Sequence, residues 1–185
     1  MLNPKLDIPA LAAEFTKTGR IRVKTALTPD VAEAVAAGMA ELPMQLFCAT
    51  GGGVAGVDPR ELVNWDRARQ VELQRARAQA ASRAEGFAYM GYRMTEAWQA
   101  GVPDTALGRF YSELRSERTL DVVRRITGAS TFDNVFAQAT DYRPGHYLTR
   151  HLDDPKGELR KFAFVWGFTR TWDPDWGGLL QFYND

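Results

Sequence analysis

Cysteine is almost absent from this sequence, because Cys48 is the only one in 185 residues. A single cysteine excludes an internal disulfide framework and any zinc or iron–sulfur site built from several thiolates. Proteins that do without disulfides are typical of reducing compartments. We therefore expect a cytoplasmic protein.

Long apolar runs and an excess of either charge are also missing. No apolar segment approaches the roughly 20 residues that a membrane-spanning helix needs. Residues 1–5 lack the charged-then-apolar pattern of a signal peptide. Lys and Arg together number 23, as do Asp and Glu, so the formal net charge is zero. The missing apolar run leads us to expect no membrane partner. Because proteins that bind phosphate groups usually carry a clustered excess of basic residues, we also expect no nucleic-acid partner.

Arginine is concentrated between residues 66 and 85, a stretch whose Arg, Gln and Ala content favours a helix. These arginines have two interpretations, a nucleic-acid-binding face or a solvated helix surface. The zero net charge favours the solvated surface. The residues concerned are Arg67, Arg69, Arg75, Arg77 and Arg83.

The chain from about Thr28 to Gly128 carries mostly helical signals. Helix starts are predicted where a capping residue precedes proline or an apolar stripe, and Gly128 is predicted to end the last helix. The predicted caps are Thr28, Asp58 and Asp104. Residues 87–94 alternate large and small side chains, which predicts a strand. Gly51, Gly52 and Gly53, together with Gly56, predict a flexible loop rather than a phosphate cradle, because no Gly-Lys-Ser/Thr follows.

After Gly128 the pattern changes to one typical of β-structure. Residues 134–140, 146–153 and 160–169 alternate, and 178–183 form a short apolar run. Turn residues such as Pro144 and Gly145 separate these segments. The sequence therefore predicts an antiparallel sheet or barrel, and with the helices an α+β fold class.

His151, Leu152 and Asp153 are the one motif with sharp chemical meaning. In a strand, residues i and i+2 point to the same face and their Cα atoms lie roughly 6.6–6.8 Å apart. The imidazole of His151 and the carboxylate of Asp153 can therefore converge on one divalent metal ion, as in non-haem Fe(II) sites. Taken alone, a His-x-Asp pattern is a weak signal.

The surroundings of this motif make it specific. Residues 142–154 (YRPGHYLTRHLDD) resemble the metal-binding segment of 2-oxoglutarate/Fe(II)-dependent dioxygenases of the prolyl-hydroxylase type. In that family a Tyr-x-Pro-Gly turn leads into the His-x-Asp strand. An arginine then opens the next strand, and a Trp…Gly-Gly turn precedes the one after. Arg160 and residues 172–182 (WDPDWGGLLQF) supply the last two elements, so the resemblance spans about residues 136–183.

The resemblance implies a double-stranded β-helix, or jelly roll, with Fe(II), 2-oxoglutarate and O2 as cofactor and cosubstrates. His151 and Asp153 match the family's first two metal ligands. Tyr142 matches a tyrosine that lines the cosubstrate pocket, although a tyrosine that caps the turn at Pro144 is an equal alternative. The implied reaction hydroxylates an unactivated C–H bond of a prolyl, amino-acid or other small substrate.

We expect residues 1–185 to form a single domain. Residues 1–128 would be a mainly helical support region packed on the first part of a metal-binding β core, residues 129–185. The family's second metal histidine and its 2-oxoglutarate-binding basic residue lie downstream of the Gly-Gly strand, which this chain does not pass. We therefore expect an incomplete jelly roll, a C-terminally shortened form of a longer protein, with little turnover by the 185-residue form. The alternatives are a non-catalytic binding or scaffold module on the same fold and a cupin-like metal enzyme that uses no 2-oxoglutarate.

Overall fold

A computed structural model describes residues 1–50, 53–130, 132, 134–152 and 160–183, without the side chains of residues 50 and 53–55. The chain separates into two compact units. The first comprises Met1–Leu42 and Arg93–Gln138, and the second comprises Pro43–Tyr92 and Ala139–Asp185. Each unit therefore takes residues from both sides of Gly128. Across the described ranges, no helix has the length and apolarity that crossing a bilayer requires.

Helices and antiparallel strands together define a mixed α+β architecture. In chain order the elements are α1 (Ile8–Thr18), α2 (Pro29–Ala40), β1 (Gln45–Thr50), β2 (Gly53–Val57), α3 (Pro59–Leu62), α4 (Arg67–Ser82), β3 (Phe87–Tyr92), α5 (Met94–Ala97), α6 (Ala106–Leu114), α7 (Glu117–Thr127), β4 (Ala139–Asp141) and β5 (Tyr147–Leu148). A single 3₁₀ turn, Pro174–Trp176, follows near the end of the described residues.

The first unit is helical, with α1 packed on α7 and α2 packed on α6. The predicted apolar stripe of α6 is confirmed, because Leu107, Phe110, Tyr111 and Leu114 are all buried. Their spacing of three and four residues places them on one side of the helix. Burying such a stripe supplies most of the stability that a nine-residue helix has in water.

Helix ends follow the sequence signals closely, with one shift. Helix α2 begins directly after Thr28, and Gly128 ends α7 in a left-handed conformation with φ of 72°. The predicted cap of α6 at Asp104 is wrong by one residue. Thr105 is the cap, because its hydroxyl accepts a hydrogen bond from the Gly108 amide at 3.0 Å. Asp104 instead pairs with Arg109.

The second unit contains an antiparallel sheet in which the described strands lie in the order β2-β1-β3-β4. Strand β3 confirms the strand predicted at residues 87–94. Strand β1 was not predicted, and the predicted glycine loop is wrong for Gly53 and Gly56. Both glycines lie in β2, where the ladder to β1 outweighs the low strand propensity of glycine. Gly51 and Gly52 lie outside the described residues.

Strands β4 and β5 pair with the same edge of β3. Strand β4 lies opposite Met90–Tyr92 and β5 lies opposite Phe87 and Ala88. Only Tyr89 separates the two paired stretches on β3, whereas five residues, 142–146, separate β4 from β5. The intervening residues therefore leave the sheet as a turn, and this turn precedes His151.

The strands predicted at residues 160–169 and 178–183 are wrong. No strand occurs in the described residues 160–183, and many apolar side chains there are exposed, including Val165 at 81%. Alternation predicts which face a strand would bury, but a strand exists only where a neighbouring backbone completes its ladder. In the described parts of the segments predicted at 134–140 and 146–153, the strands found are Ala139–Asp141 and Tyr147–Leu148, and Asp153 lies outside the described residues.

Candidate metal site

The structure describes two of the three predicted site residues. His151 and Tyr142 lie within the described ranges, and Asp153 lies outside them, in the gap at residues 153–159. Convergence of His151 and Asp153 on one ion therefore remains a prediction. In the part of the chain that the structure describes, no group of three His, Cys, Asp or Glu side chains is placed to hold a metal ion.

A tight turn precedes the strand that leads to His151. The His146 amide donates to the Arg143 carbonyl at 2.9 Å, with Pro144 and Gly145 at the two central positions. Gly145 has φ of +79°, which a type II turn requires at its third position and which glycine adopts without steric cost. Proline at the second position restricts its own φ to the value that this turn type needs there. The Pro-Gly pair thus determines how the chain enters β5.

His146 belongs to this turn rather than to the candidate metal site. Its Nδ1 accepts a hydrogen bond from the Arg143 amide at 3.1 Å, so this nitrogen carries no proton. Burial lowers the pKa of His146 below its ordinary 6.5, and the positive charges of Arg77 and Arg143 lower it further, against an opposing effect of Asp141. A neutral imidazole with its proton on Nε2 therefore stabilises the turn.

Thr149 anchors the chain between β5 and His151. Its amide and its hydroxyl both donate to the Gly86 carbonyl, at 3.2 Å and 2.7 Å. Gly86 directly precedes β3, has φ of +71°, and has no room for a side chain, because a Cβ there would lie 2.2 Å from the Ala49 carbonyl oxygen. The stretch before His151 is thus tied to the central strand of the sheet.

The carbonyl of Thr149 orients the imidazole of His151. The Nδ1 atom of His151 lies 2.9 Å from the Thr149 carbonyl oxygen. A carbonyl oxygen only accepts, so Nδ1 carries the proton, and the lone pair of the neutral ring lies on Nε2. Histidines that bind metals usually donate their other ring N–H to a carbonyl or carboxylate in this way. The exposed side chain of His151 therefore has the chemistry of a metal ligand.

Tyr142 lies at the start of the same turn and packs on the sheet. Its ring centroid is 5.4 Å from that of Tyr89 on β3, with the ring planes inclined by 30°. Burial raises the pKa of Tyr142 to about 12, and the neighbouring Tyr89 adds to the shift. Its hydroxyl, like that of an ordinary tyrosine, is protonated at neutral pH and able to donate a hydrogen bond to a carboxylate.

Residues 137–185 match a family model described as the 2OG-Fe(II) oxygenase superfamily. The match covers about a quarter of the chain and includes Tyr142, His151 and Asp153. No curated protein and no solved structure matches significantly. The match is to the superfamily, and membership of a prolyl-hydroxylase-type subfamily stays a prediction.

The structure adds two positioning residues that the sequence did not indicate. Thr149 and Gly86 are 63 positions apart. Thr149 lies within residues 142–154 but is not one of the positions that carry the resemblance, and Gly86 lies outside that segment. The only local signal is a hydroxyl residue two positions before a histidine, which is too common to be informative. Their role becomes visible only when β5 lies beside β3 in three dimensions.

Proposed function

We propose that this protein is a non-haem Fe(II), 2-oxoglutarate-dependent dioxygenase that hydroxylates an unactivated C–H bond of a prolyl, amino-acid or other small substrate. The match of residues 137–185 to the superfamily supports this proposal most strongly. The orientation of His151 by the Thr149 carbonyl supports it independently, because it concerns one side chain rather than sequence likeness. A jelly-roll core with its helices packed on it is part of the same proposal.

The residues of this chain suit the ligand chemistry of Fe(II). Nε2 of His151 and the carboxylate of Asp153 would hold the ion, since imidazole and carboxylate form the facial triad of such sites. When bound, Fe(II) supplies the redox chemistry by which O2, 2-oxoglutarate and a substrate C–H give succinate, CO2 and an alcohol. The protein binds, orients and shields the reactants.

Two side chains have definable tasks in this proposal. The Thr149 carbonyl holds the proton on Nδ1 of His151 and leaves Nε2 as the ligand atom. The hydroxyl of Tyr142, which is protonated at neutral pH like that of any ordinary tyrosine, would donate a hydrogen bond to a carboxylate of 2-oxoglutarate. A phenolate at that position would instead repel the dianion.

Metal binding tests the proposal, because it does not depend on knowing the substrate. We expect Co(II), used as a spectroscopic substitute for Fe(II), to bind the protein, and expect binding to be lost in His151→Ala and in Asp153→Asn. Asp154→Asn is the matched control, since it removes a neighbouring carboxylate of the same charge. Binding that survives His151→Ala would contradict the site assignment.

Turnover is the second measurement. The rate of succinate formation from 2-oxoglutarate with Fe(II) and O2 should be small, because, of the 185 residues, none after Asp153 is a histidine that could be the second histidine ligand. This activity should disappear in His151→Ala. Rapid turnover would show that another side chain completes the ligand set. No metal binding by the wild type would overturn the proposal and favour a non-catalytic scaffold module.

A further inference from the structure

Arg77 differs from the other arginines of α4. Arg67, Arg69 and Arg75 are exposed, as expected for a solvated helix surface, whereas Arg77 is partly buried. Its Nη2 donates to the Gly145 carbonyl at 3.1 Å, across 68 positions of sequence. The guanidinium group of one arginine on α4 is therefore hydrogen-bonded to the turn that precedes His151.

A second hydrogen bond runs in the opposite direction. The hydroxyl of Tyr147 donates to the backbone carbonyl of Arg77 at 3.1 Å. One helical residue thus uses its side chain to bind Gly145 and its main chain to bind Tyr147. We call this pair of bonds the Arg77–Tyr147 clamp. It holds both ends of a tripeptide, so the turn and β5 are held in position against α4.

The guanidinium group is held at a free-energy cost. Nε of Arg77 is buried and has no hydrogen-bond partner among the described residues. Leaving a buried donor unsatisfied is unfavourable, and an arginine directed to solvent would avoid it. The bond to Gly145 itself lies at an exposed position, whereas the Nε side of the guanidinium is buried.

The clamp and Thr149 act on one short stretch of chain. Gly145 and Tyr147 are bonded to α4, Thr149 is bonded to Gly86, and His151 is bonded to Thr149. Every second residue from the turn to the imidazole is therefore tied down. Such regular support is what a ligand side chain needs to keep a fixed position.

We propose that the Arg77–Tyr147 clamp positions His151 for metal binding. This inference rests on the proposed function. Arg77 is a positioning residue, because it acts through Gly145 and β5 and does not itself hold the metal. It lies outside the segment that matches the family model, so the helical part of the chain would contribute to the metal site by fixing a backbone.

The test uses a matched pair of variants on the same helix. Arg77→Gln removes the clamp's charged donor, and Arg75→Gln removes an equal charge from an exposed position. Tyr147→Phe is a milder variant that removes only the reverse bond, and Arg77→Lys retains one donor for Gly145. Circular dichroism at a temperature far below unfolding establishes that each variant is folded.

Amide hydrogen exchange in the metal-free protein reports the clamp itself. We expect exchange of the His146 and Thr149 amides to accelerate several-fold in Arg77→Gln and in Tyr147→Phe, and to be unchanged in Arg75→Gln. Equal exchange in Arg77→Gln and Arg75→Gln would overturn the inference whatever the metal does.

Co(II) titration reports the consequence for the site. We expect the Kd to rise about tenfold in Arg77→Gln, the lower end of the effect of residues that support a metal ligand. The visible spectrum of bound Co(II) should also change, which a loss of stability alone would not produce. Partial recovery of Co(II) affinity in Arg77→Lys supports the positioning role. If Arg77→Gln has the same Co(II) affinity and the same spectrum as the wild type, the positioning role is overturned. No Co(II) binding by the wild type, with faster exchange in Arg77→Gln, overturns the proposed function and leaves a clamp that positions no metal ligand.

Discussion

Nδ1 of His151 lies 2.9 Å from the carbonyl oxygen of Thr149, whereas Nδ1 of His146 accepts from the amide of Arg143. The two histidines of the chain therefore have opposite hydrogen-bonding roles at the same ring atom. An acceptor beside Nδ1 requires a proton there, and a donor beside Nδ1 excludes one. The backbone thus assigns a different neutral tautomer to each ring.

Nitrogen NMR of the imidazole rings tests this assignment. We expect His151 to be the Nδ1–H tautomer and His146 to be the Nε2–H tautomer at a pH where both rings are neutral. The chain has only two histidines, so His146→Gln leaves a single ring and assigns both sets of signals. The Nε2–H tautomer at His151 would contradict the proposed orientation of the metal ligand.

A comparison of two glycines tests the close approach of Gly86 to Ala49 in β1. Gly145→Ala places a side chain at positive φ with nothing within 4 Å, so it should cost about 1–2 kcal/mol of unfolding free energy. Gly86→Ala has the same backbone strain, and its Cβ would also lie 2.2 Å from the Ala49 carbonyl oxygen. Its cost should reach about 3 kcal/mol or more. Denaturant unfolding measures both, and equal costs would contradict the close approach at Gly86.

The hydroxyl of Thr149 should make a smaller contribution. Thr149→Val keeps the shape of the side chain but loses the 2.7 Å bond to the Gly86 carbonyl. That carbonyl still accepts from the Thr149 amide, so it is not left unsatisfied, and the expected loss of unfolding free energy is about 1 kcal/mol. Thr149→Ser retains the hydroxyl and is the control. A loss in Thr149→Ser as large as in Thr149→Val would show that the methyl group matters instead.

The sequence predicts local features of this protein better than its long-range pairings. The end of α7 at Gly128, the buried stripe of α6 and the turn at Pro144 and Gly145 each depend on residues within a few positions of one another. Strand β1 was missed because its identity depends on β2 and β3 lying beside it. The strands expected at 160–169 and 178–183 fail for the same reason, since alternation does not supply a partner.

The candidate metal site shows the same difference between local features, which the sequence predicts, and long-range contacts, which it does not. His151 and Tyr142 stand out because their spacing belongs to a recognisable motif. Arg77 looked like one of several surface arginines, and its distinct role depends on Gly145, 68 positions away. A residue that supports the site from a distant helix or strand has no fixed sequence spacing from the site residues, so a single sequence does not reveal it.

Tyr142 should ionise later than an ordinary tyrosine. Burial raises its pKa to about 12 from the usual 10, so the folded state retains a proton that the unfolded state loses above pH 10. A phenolate absorbance titration of the wild type, compared with Tyr142→Phe, should differ only near pH 12. Tyr142→Phe should keep the packing on Tyr89 and lower 2-oxoglutarate affinity several-fold if the hydroxyl contacts the cosubstrate. Unchanged affinity would favour the alternative in which Tyr142 only stabilises the turn.

His146 should make the stability of the protein sensitive to mild acid. Its pKa is lowered in the folded protein, mainly by burial, so the unfolded state binds more protons once the pH falls towards 6.5. Linkage then requires the free energy of unfolding to decrease as the pH falls through 6.5, and to level off below the folded-state pKa. Protonation of Nδ1 would also break its bond from the Arg143 amide.

The measurement is denaturant unfolding from pH 8 to pH 5, with His146→Gln as the comparison. We expect His146→Gln to lose less stability than the wild type over this range, because the two proteins differ only in the side chain at position 146. Arg77→Gln should reduce the wild-type decrease, since the positive charge of Arg77 is one cause of the lowered pKa. Parallel stability profiles for the wild type and His146→Gln would mean that the imidazole is not held partly buried in the turn as the structure describes.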